Sequence, residues 1–134
     1  MVPALRPRAT EAYRRALQLA DGELVLNPRD AELHATVATY LLGLSDFKRA
    51  QIEVAQALEL APDQVSSLFL AALVYESAGQ RGQALRFLEE AARKGYAPIE
   101  IQRHPLLAKL RADPGFKPIQ DLLDRQRRMT KAGN

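Results

Sequence analysis

Few residues in this chain are suited to acid–base, nucleophilic or metal chemistry, and their spacing does not bring them together. The only histidines, His34 and His104, stand 70 positions apart, neither with carboxylates at metal-ligand spacing. Glu89 and Glu90 are adjacent, but consecutive side chains on a helix point in different directions, so they do not form an acid–base pair. Ser66-Ser67 has no nearby base, and Gly79 and Gly82 match turn positions, not a phosphate loop. Cysteine is absent, which excludes disulfides and thiolate metal sites. His34 reads as a packed residue at a helix interface, and His104, before Pro105, as a turn residue or cap. The expectation is a non-catalytic protein with no metal and no cofactor, acting through a surface.

A surface has to be presented by ordered elements, and the patterning predicts helices. Residues 1–9 are expected to be frayed up to Pro7, which suits a first helical turn. From there to Leu26, Tyr13, Ala16, Leu17, Ala20 and Leu24 recur at steps of three and four. Asn27-Pro28-Arg29-Asp30 breaks this helix, and Asp30 is an N-cap for the next, its carboxylate accepting from free backbone N–H groups. That helix is predicted to run to about Gly43. Ser45-Asp46 caps its partner, Phe47–Leu60, which stops at Pro62. Asp63 or Gln64 opens a further helix ending near Gly79, Gln80–Lys94 forms its partner, and Gly95 supplies a left-handed stop.

These helices repeat. A step of 34 residues leads from Val37 to Ala71, Ala38 to Ala72, Leu41 to Tyr75, Ala50 to Ala84 and Ala57 to Ala91. The same step backwards leads from Ala50 to Ala16 and from Pro62 to Pro28. Paired helices approach closely only where facing side chains are small, so the alanines mark contact points and Val37, Leu41, Phe47, Val54, Leu58, Leu68, Tyr75, Leu85 and Leu88 fill the space between. With this period and these small residues, Ala31–Tyr96 resembles the tetratricopeptide repeat family. It departs from the family pattern at His34, where tryptophan is frequent, at Ser45, where the turn has glycine, and at Tyr96, in place of a terminal proline.

The resemblance implies an all-α, right-handed superhelix in a single domain. Its parts are a half repeat (7–26), two repeats (31–64 and 65–96), a helical cap (97–128) and a frayed tail (129–134). The polar stretch Arg125–Asn134 lacks apolar periodicity. After Gly95 the period fails, and the text resembles the closing segment of tetratricopeptide arrays in some bacterial signalling proteins. Leu107, Leu110-Arg111, Asp113-Pro114 and Phe116 match it, whereas His104-Pro105 stands where Asp-Pro is usual. Short helices started by Pro98, Pro105 and Pro118 would lay Leu106, Leu107, Leu110, Phe116, Ile119, Leu122 and Leu123 over the last repeat.

Composition sets outer bounds. The hydrophobic fraction of 47% and charged fraction of 26% are ordinary for a globular chain. The longest apolar run, Leu68–Tyr75, is far too short to span a bilayer, and Arg6, Arg8, Arg14 and Arg15 interrupt any leader peptide. A cytoplasmic location without membrane contact is expected. The net charge of +3 is unevenly spread, with −3 on residues 31–64 and +4 on 99–134.

In the family the first helix of each repeat lines a concave groove that holds partner segments. By register the groove residues are Glu32, Ala35, Thr39 and Leu42, then Ser66, Phe69, Leu73 and Glu76. Leu42, Phe69 and Leu73 would form an apolar anchor for a protein or peptide partner, unless the closing helices fold back and bury them. Ala35, Thr39 and Leu73 stand where carboxylate-clamping members carry lysine and asparagine, which argues against that mode. The first helix lacks its own partner, so Tyr13, Leu17 and Leu24 would leave an open apolar flank, expected either to meet a missing upstream part or to drive homo-oligomerisation. Alternative roles are a structural adaptor in an assembly or secretion complex, and weak nucleic-acid binding by Arg103, Lys109, Arg111, Lys117, Arg125, Arg127, Arg128 and Lys131. Asp113, Asp121 and Asp124 interrupt that basic series, and Phe116 is its only nearby aromatic, so a solvated helix face is the favoured reading.

Overall fold

Asp30 and Asp46 begin two of the helices as their chemistry requires. The Asp30 carboxylate accepts from the Leu33 N–H at 3.0 Å and that of Asp46 from the Arg49 N–H at 3.2 Å, satisfying donors that have no partner inside the helix. The computed structural model describes residues 5–132, with side chains from 8 to 131, and within them the chain is helical with no strand. The helices are α1 (Leu5–Leu26), α2 (Ala31–Gly43), α3 (Phe47–Leu60), α4 (Val65–Ser77), α5 (Arg81–Arg93), α6 (Pro98–Arg103), α7 (Ala108–Arg111) and α8 (Lys117–Ala132). Two 3₁₀ turns, Pro105–Leu107 and Pro114–Phe116, join the last three.

Three helices end in the same way. The N–H of Asp46, Gln80 and Tyr96 reaches back to the carbonyl of Leu41, Tyr75 and Ala91 at 2.9, 2.9 and 3.0 Å. The residue before each is left-handed: Gly79 (φ 82°), Gly95 (φ 87°) and, without the freedom of glycine, Ser45 (φ 62°). These are Schellman closures, and Ser45 adopts the conformation for which glycine is the ordinary choice.

The tight turns return α3 against α2 and α5 against α4, while α1 packs on α2 and α3 on α4. The alanines of the 34-residue pattern sit at these contacts. Ala38, Ala50, Ala57, Ala71, Ala72, Ala84 and Ala91 are fully buried. Around them lie Val37, Leu41, Val54, Val74 and Leu88, so the core runs through both pairs. The closing segment extends it: Ile101, Leu107, Leu110, Phe116, Ile119 and Leu123 are buried together with Leu68, Leu73 and Leu88. Of the covering residues read from sequence, Leu106 instead lies exposed and Leu122 is only partly covered.

Two expectations at the ends require correction. Helix α1 already includes Leu5, ahead of Pro7. The polar stretch from Arg125, including the tail from residue 129 expected to fray, is helical as far as Ala132, with residues 133 and 134 outside the description. Packing explains this, since α8 lies on α5 and Gln126 Nε2 donates to the Ala92 carbonyl at 2.9 Å. Side-chain pairs one turn apart, Lys117–Asp121, Gln120–Asp124 and Arg127–Asp124, add local support.

The residues assigned to self-association are also used differently. Leu17 and Leu24 pack with Val37 and Leu41 in the α1–α2 core, and Tyr13 meets Tyr40 with ring centroids 6.3 Å apart. Helix α1 half-buries Leu17 and Leu24 against α2, while Tyr13 stays partly open at 36% exposure. Among its described side chains Leu19, Val25 and Leu26 are the most exposed large apolar ones, on other sides of the cylinder.

Candidate functional site

Helices α2 and α4 are first members of successive pairs and lie side by side. Because they share one direction of the repeat, residues three and four apart along each present one continuous wall. Glu32, Ala35, Thr36 and Thr39 from α2 meet Ser66, Ser67, Phe69, Leu70 and Leu73 from α4 around an open groove of about 400 Å³. Tyr96, Glu100 and His104 close one side. Six of the eight residues read as groove-lining are therefore brought together: Glu32, Ala35, Thr39, Ser66, Phe69 and Leu73.

Leu42 and Glu76 are not. Leu42 is half-buried between the two core clusters. Glu76 is clamped by Arg81, whose Nε and Nη2 donate to its two oxygens at 2.8 and 2.7 Å, while Nη1 reaches Asp113 at 3.0 Å. This fork pins the closing segment to the α4–α5 pair and leaves Glu76 no freedom to meet a partner. The Asp113 carboxyl is held below the usual range by the Gly115 N–H first and by Arg81 second.

The apolar anchor has been closed from within. Tyr96 lies on Phe69 with centroids 4.3 Å apart and planes within 16°, and the His104 ring meets Phe69 edge-on at 5.7 Å. Phe69 and Leu73 retain only 5% and 6% of their surface. The walls are polar instead. Thr36 and Thr39 donate their hydroxyl protons to the carbonyls of Glu32 and Ala35, each at 3.0 Å, so their lone pairs remain available. Glu32 and Glu100 have no ion-pair partner among the described residues. His104 accepts from the Leu106 N–H through Nδ1 at 3.2 Å, capping the following turn as its position suggested. Burial, assisted by Arg111 and opposed by Glu100, holds His104 below its ordinary pKa, so it is neutral near pH 7 with its proton on Nε2. Burial first, then the charge of Glu100, pushes the Tyr96 phenol up.

Tyr96, Glu100 and His104 escaped the periodic reading because they follow the point where the period stops. The one signal for them was the Gly95 exit, which turns the chain back across α4. Arg111 fixes that path by donating to the Ile101 and His104 carbonyls at 3.1 and 2.9 Å.

His34 lies behind the groove wall and is buried, as expected of a packed residue, but it is held as a charge. Its Nδ1 meets Glu53 Oε1 at 2.8 Å and its Nε2 meets the Pro28 carbonyl at 2.7 Å. Both partners are oxygens that accept, so the setting favours the imidazolium, the form in which both ring nitrogens donate. Burial alone lowers its pKa; the Pro28 carbonyl, Glu53 and the charge of Asp30 outweigh it and hold the pKa above 6.5. Arg49 continues the network, bidentate on Asp21 of α1 at 2.6 and 3.1 Å and 3.5 Å from Glu53.

A surface depression of similar size beside α1 is lined, among the described residues, by Arg8, Glu11, Ala12 and Arg15 of that one helix. Among the described residues no group of three or more His, Asp or Glu side chains is placed to hold a metal ion, and no helix is long and apolar enough to cross a membrane. Comparison with protein-family models and with curated proteins finds no match for this chain.

Proposed function

We propose that this chain is a tetratricopeptide-type recognition module that holds a segment of another protein in the groove between α2, α4 and the start of α6. The convergence of three separate elements on one open concavity carries this reading, since a cleft between elements is where ligand segments find several contacts at once. The 34-residue pattern of buried alanines supports the assignment of repeat type. The role proposed is binding without catalysis. A place within a bacterial signalling or regulatory protein rests on the likeness of the closing segment alone.

The test is selection of peptides from a random displayed library against the wild-type chain, followed by affinity measurement on Thr39→Trp. Thr39 is exposed in the groove, so the indole fills the groove without disturbing the core. Selected peptides should bind the wild type and weaken by about tenfold or more on Thr39→Trp at unchanged melting temperature. Affinities that ignore this substitution would place binding elsewhere.

A further inference from the structure

The groove has a chemical bias that its shape alone does not specify. Among the described residues its charged lining side chains are Glu32 on α2 and Glu100 on α6, with no lysine or arginine. Its hydroxyls have already given their protons to the helix at Thr36 and Thr39, and Ser66 Oγ receives the Gln64 side-chain amide at 3.3 Å. Its one basic side chain, His104, is neutral and uses Nδ1 internally. The walls therefore carry negative charge at Glu32 and Glu100 and acceptor lone pairs at Thr36 and Thr39, beside donors at the Ser66 hydroxyl and His104 Nε2, and a ligand complementary to that charge is positive.

At the α6 side this bias acquires a shape. Phe69, Tyr96 and His104 form an aromatic cluster, with one face of Tyr96 resting on Phe69 and the Tyr96 side chain half-exposed at the groove. Glu100 lines the same groove and lies one helical turn before His104, whose N–H donates to the Glu100 carbonyl at 2.9 Å, so its carboxylate belongs to the side of the groove that holds this cluster. An aromatic surface next to a carboxylate suits a flat cation that can stack and donate at once, which is the geometry of guanidinium more than of ammonium.

Resting on the groove reading above, we propose that the bound segment is basic and that an arginine side chain enters the α6 side, stacked on Tyr96 and paired with Glu100. Glu32 on the facing wall favours further positive charge along the same segment. A neutral apolar helix finds no open anchor here, because Phe69 and Leu73 are already covered.

The experiment uses four fluorescein-labelled heptapeptide pools whose flanking positions vary over Ala, Leu, Ser and Tyr. The central residue is fixed as arginine, lysine, citrulline or glutamate. Anisotropy titrations are run on the wild type, Glu100→Gln, Glu89→Gln and Thr39→Trp. The arginine pool should bind about tenfold tighter than the citrulline pool, whose side chain has the same shape without the charge. Glu100→Gln should erase that difference, while Glu89→Gln, on the far side of α5, should leave it intact. Equal binding of the arginine and citrulline pools, or an arginine preference that survives Glu100→Gln, overturns the proposal. If the pools bind without charge preference and are still lost on Thr39→Trp, the groove reading stands and only the arginine assignment falls. If no pool is affected by Thr39→Trp, both fall.

Discussion

Replacing Glu53 by glutamine isolates the charge buried between α1, α2 and α3. Glutamine keeps an oxygen that accepts from His34 Nδ1, so shape and hydrogen bond survive and the negative charge is removed. The side chains of His34 and Glu53 are 9% and 11% exposed, so solvent screens the pair little. A hydrogen bond to a charged partner is worth about 1.5–3 kcal/mol against about 1 for a neutral one, and stranding one member of a buried pair costs about 3–5. With the hydrogen bond retained, the loss should be about 2–3 kcal/mol at pH 6, or a fall in melting temperature of about 8–12 °C for a chain of this size.

The pH dependence separates this from a packing defect. His34 has a folded pKa above 6.5, so the folded state holds its proton more firmly than the unfolded chain. The stabilisation is fully present below about pH 6.5 and is lost as pH rises through the folded value. His104 acts oppositely: its pKa is lowered, so its contribution is present above about pH 6.5 and is lost as pH falls toward its folded value. That term is common to both proteins and cancels in their difference. Urea unfolding of wild type and Glu53→Gln from pH 6 to pH 9 should give a gap that is widest at pH 6 and narrows upward. A gap constant across this range, or one that widens, would refute the assignment of a buried imidazolium. Nitrogen-edited spectra provide a direct check, since both ring protons of His34 should be seen at pH 6.

Three other outcomes follow from single contacts. Ala50 is fully buried where helices approach, so Ala50→Arg should cost about 1–3 kcal/mol or more; an unchanged unfolding midpoint would show that the contact register is wrong. Ser45 is left-handed at φ 62°, so Ser45→Gly should relieve backbone strain and stabilise the fold by about 0.5–1 kcal/mol, read as a higher urea midpoint at constant slope. Arg81→Ala frees Glu76 and Asp113 together, so amide exchange should accelerate over residues 113–116 while α2 and α3 keep their protection.

What could be read in advance divides along physical lines. The buried alanines, the Asp30 and Asp46 caps, the turn at Gly79 and the left-handed Gly95 were legible because each depends on its own element or on a fixed repeat. Close helix approach excludes a side chain at a set spacing, and a spacing can be counted. Pairings across long separations could not be counted. Nothing local distinguishes Glu76, held by Arg81, from Glu32, which stays open in the groove. The stripe of Tyr13, Leu17 and Leu24 was correctly read as one face, but which neighbour that face meets is decided by α2. Likewise α8 is helical beyond Arg125 because α5 lies under its first turns, a support that a polar sequence does not announce.

The closing segment decides what the groove presents to solvent. Without it, Phe69 and Leu73 would stand open as an apolar anchor, and Leu73→Glu would be a clean way to disable binding. With Tyr96 and His104 on Phe69, and Ile101 and Leu107 in the same core as Leu73, a carboxylate at position 73 would be buried without a partner. Such a charge costs several kcal/mol, so that variant would report on folding and not on recognition. Covering the end of the array and shaping the groove are thus one event. The residues that seal the apolar floor bring Glu100 and the open side of Tyr96 to its edge, so the proposed partner is selected at that edge by charge and stacking in place of buried apolar area. This is why the informative substitutions are Glu100→Gln and Thr39→Trp, at the rim, and why the floor should be left alone.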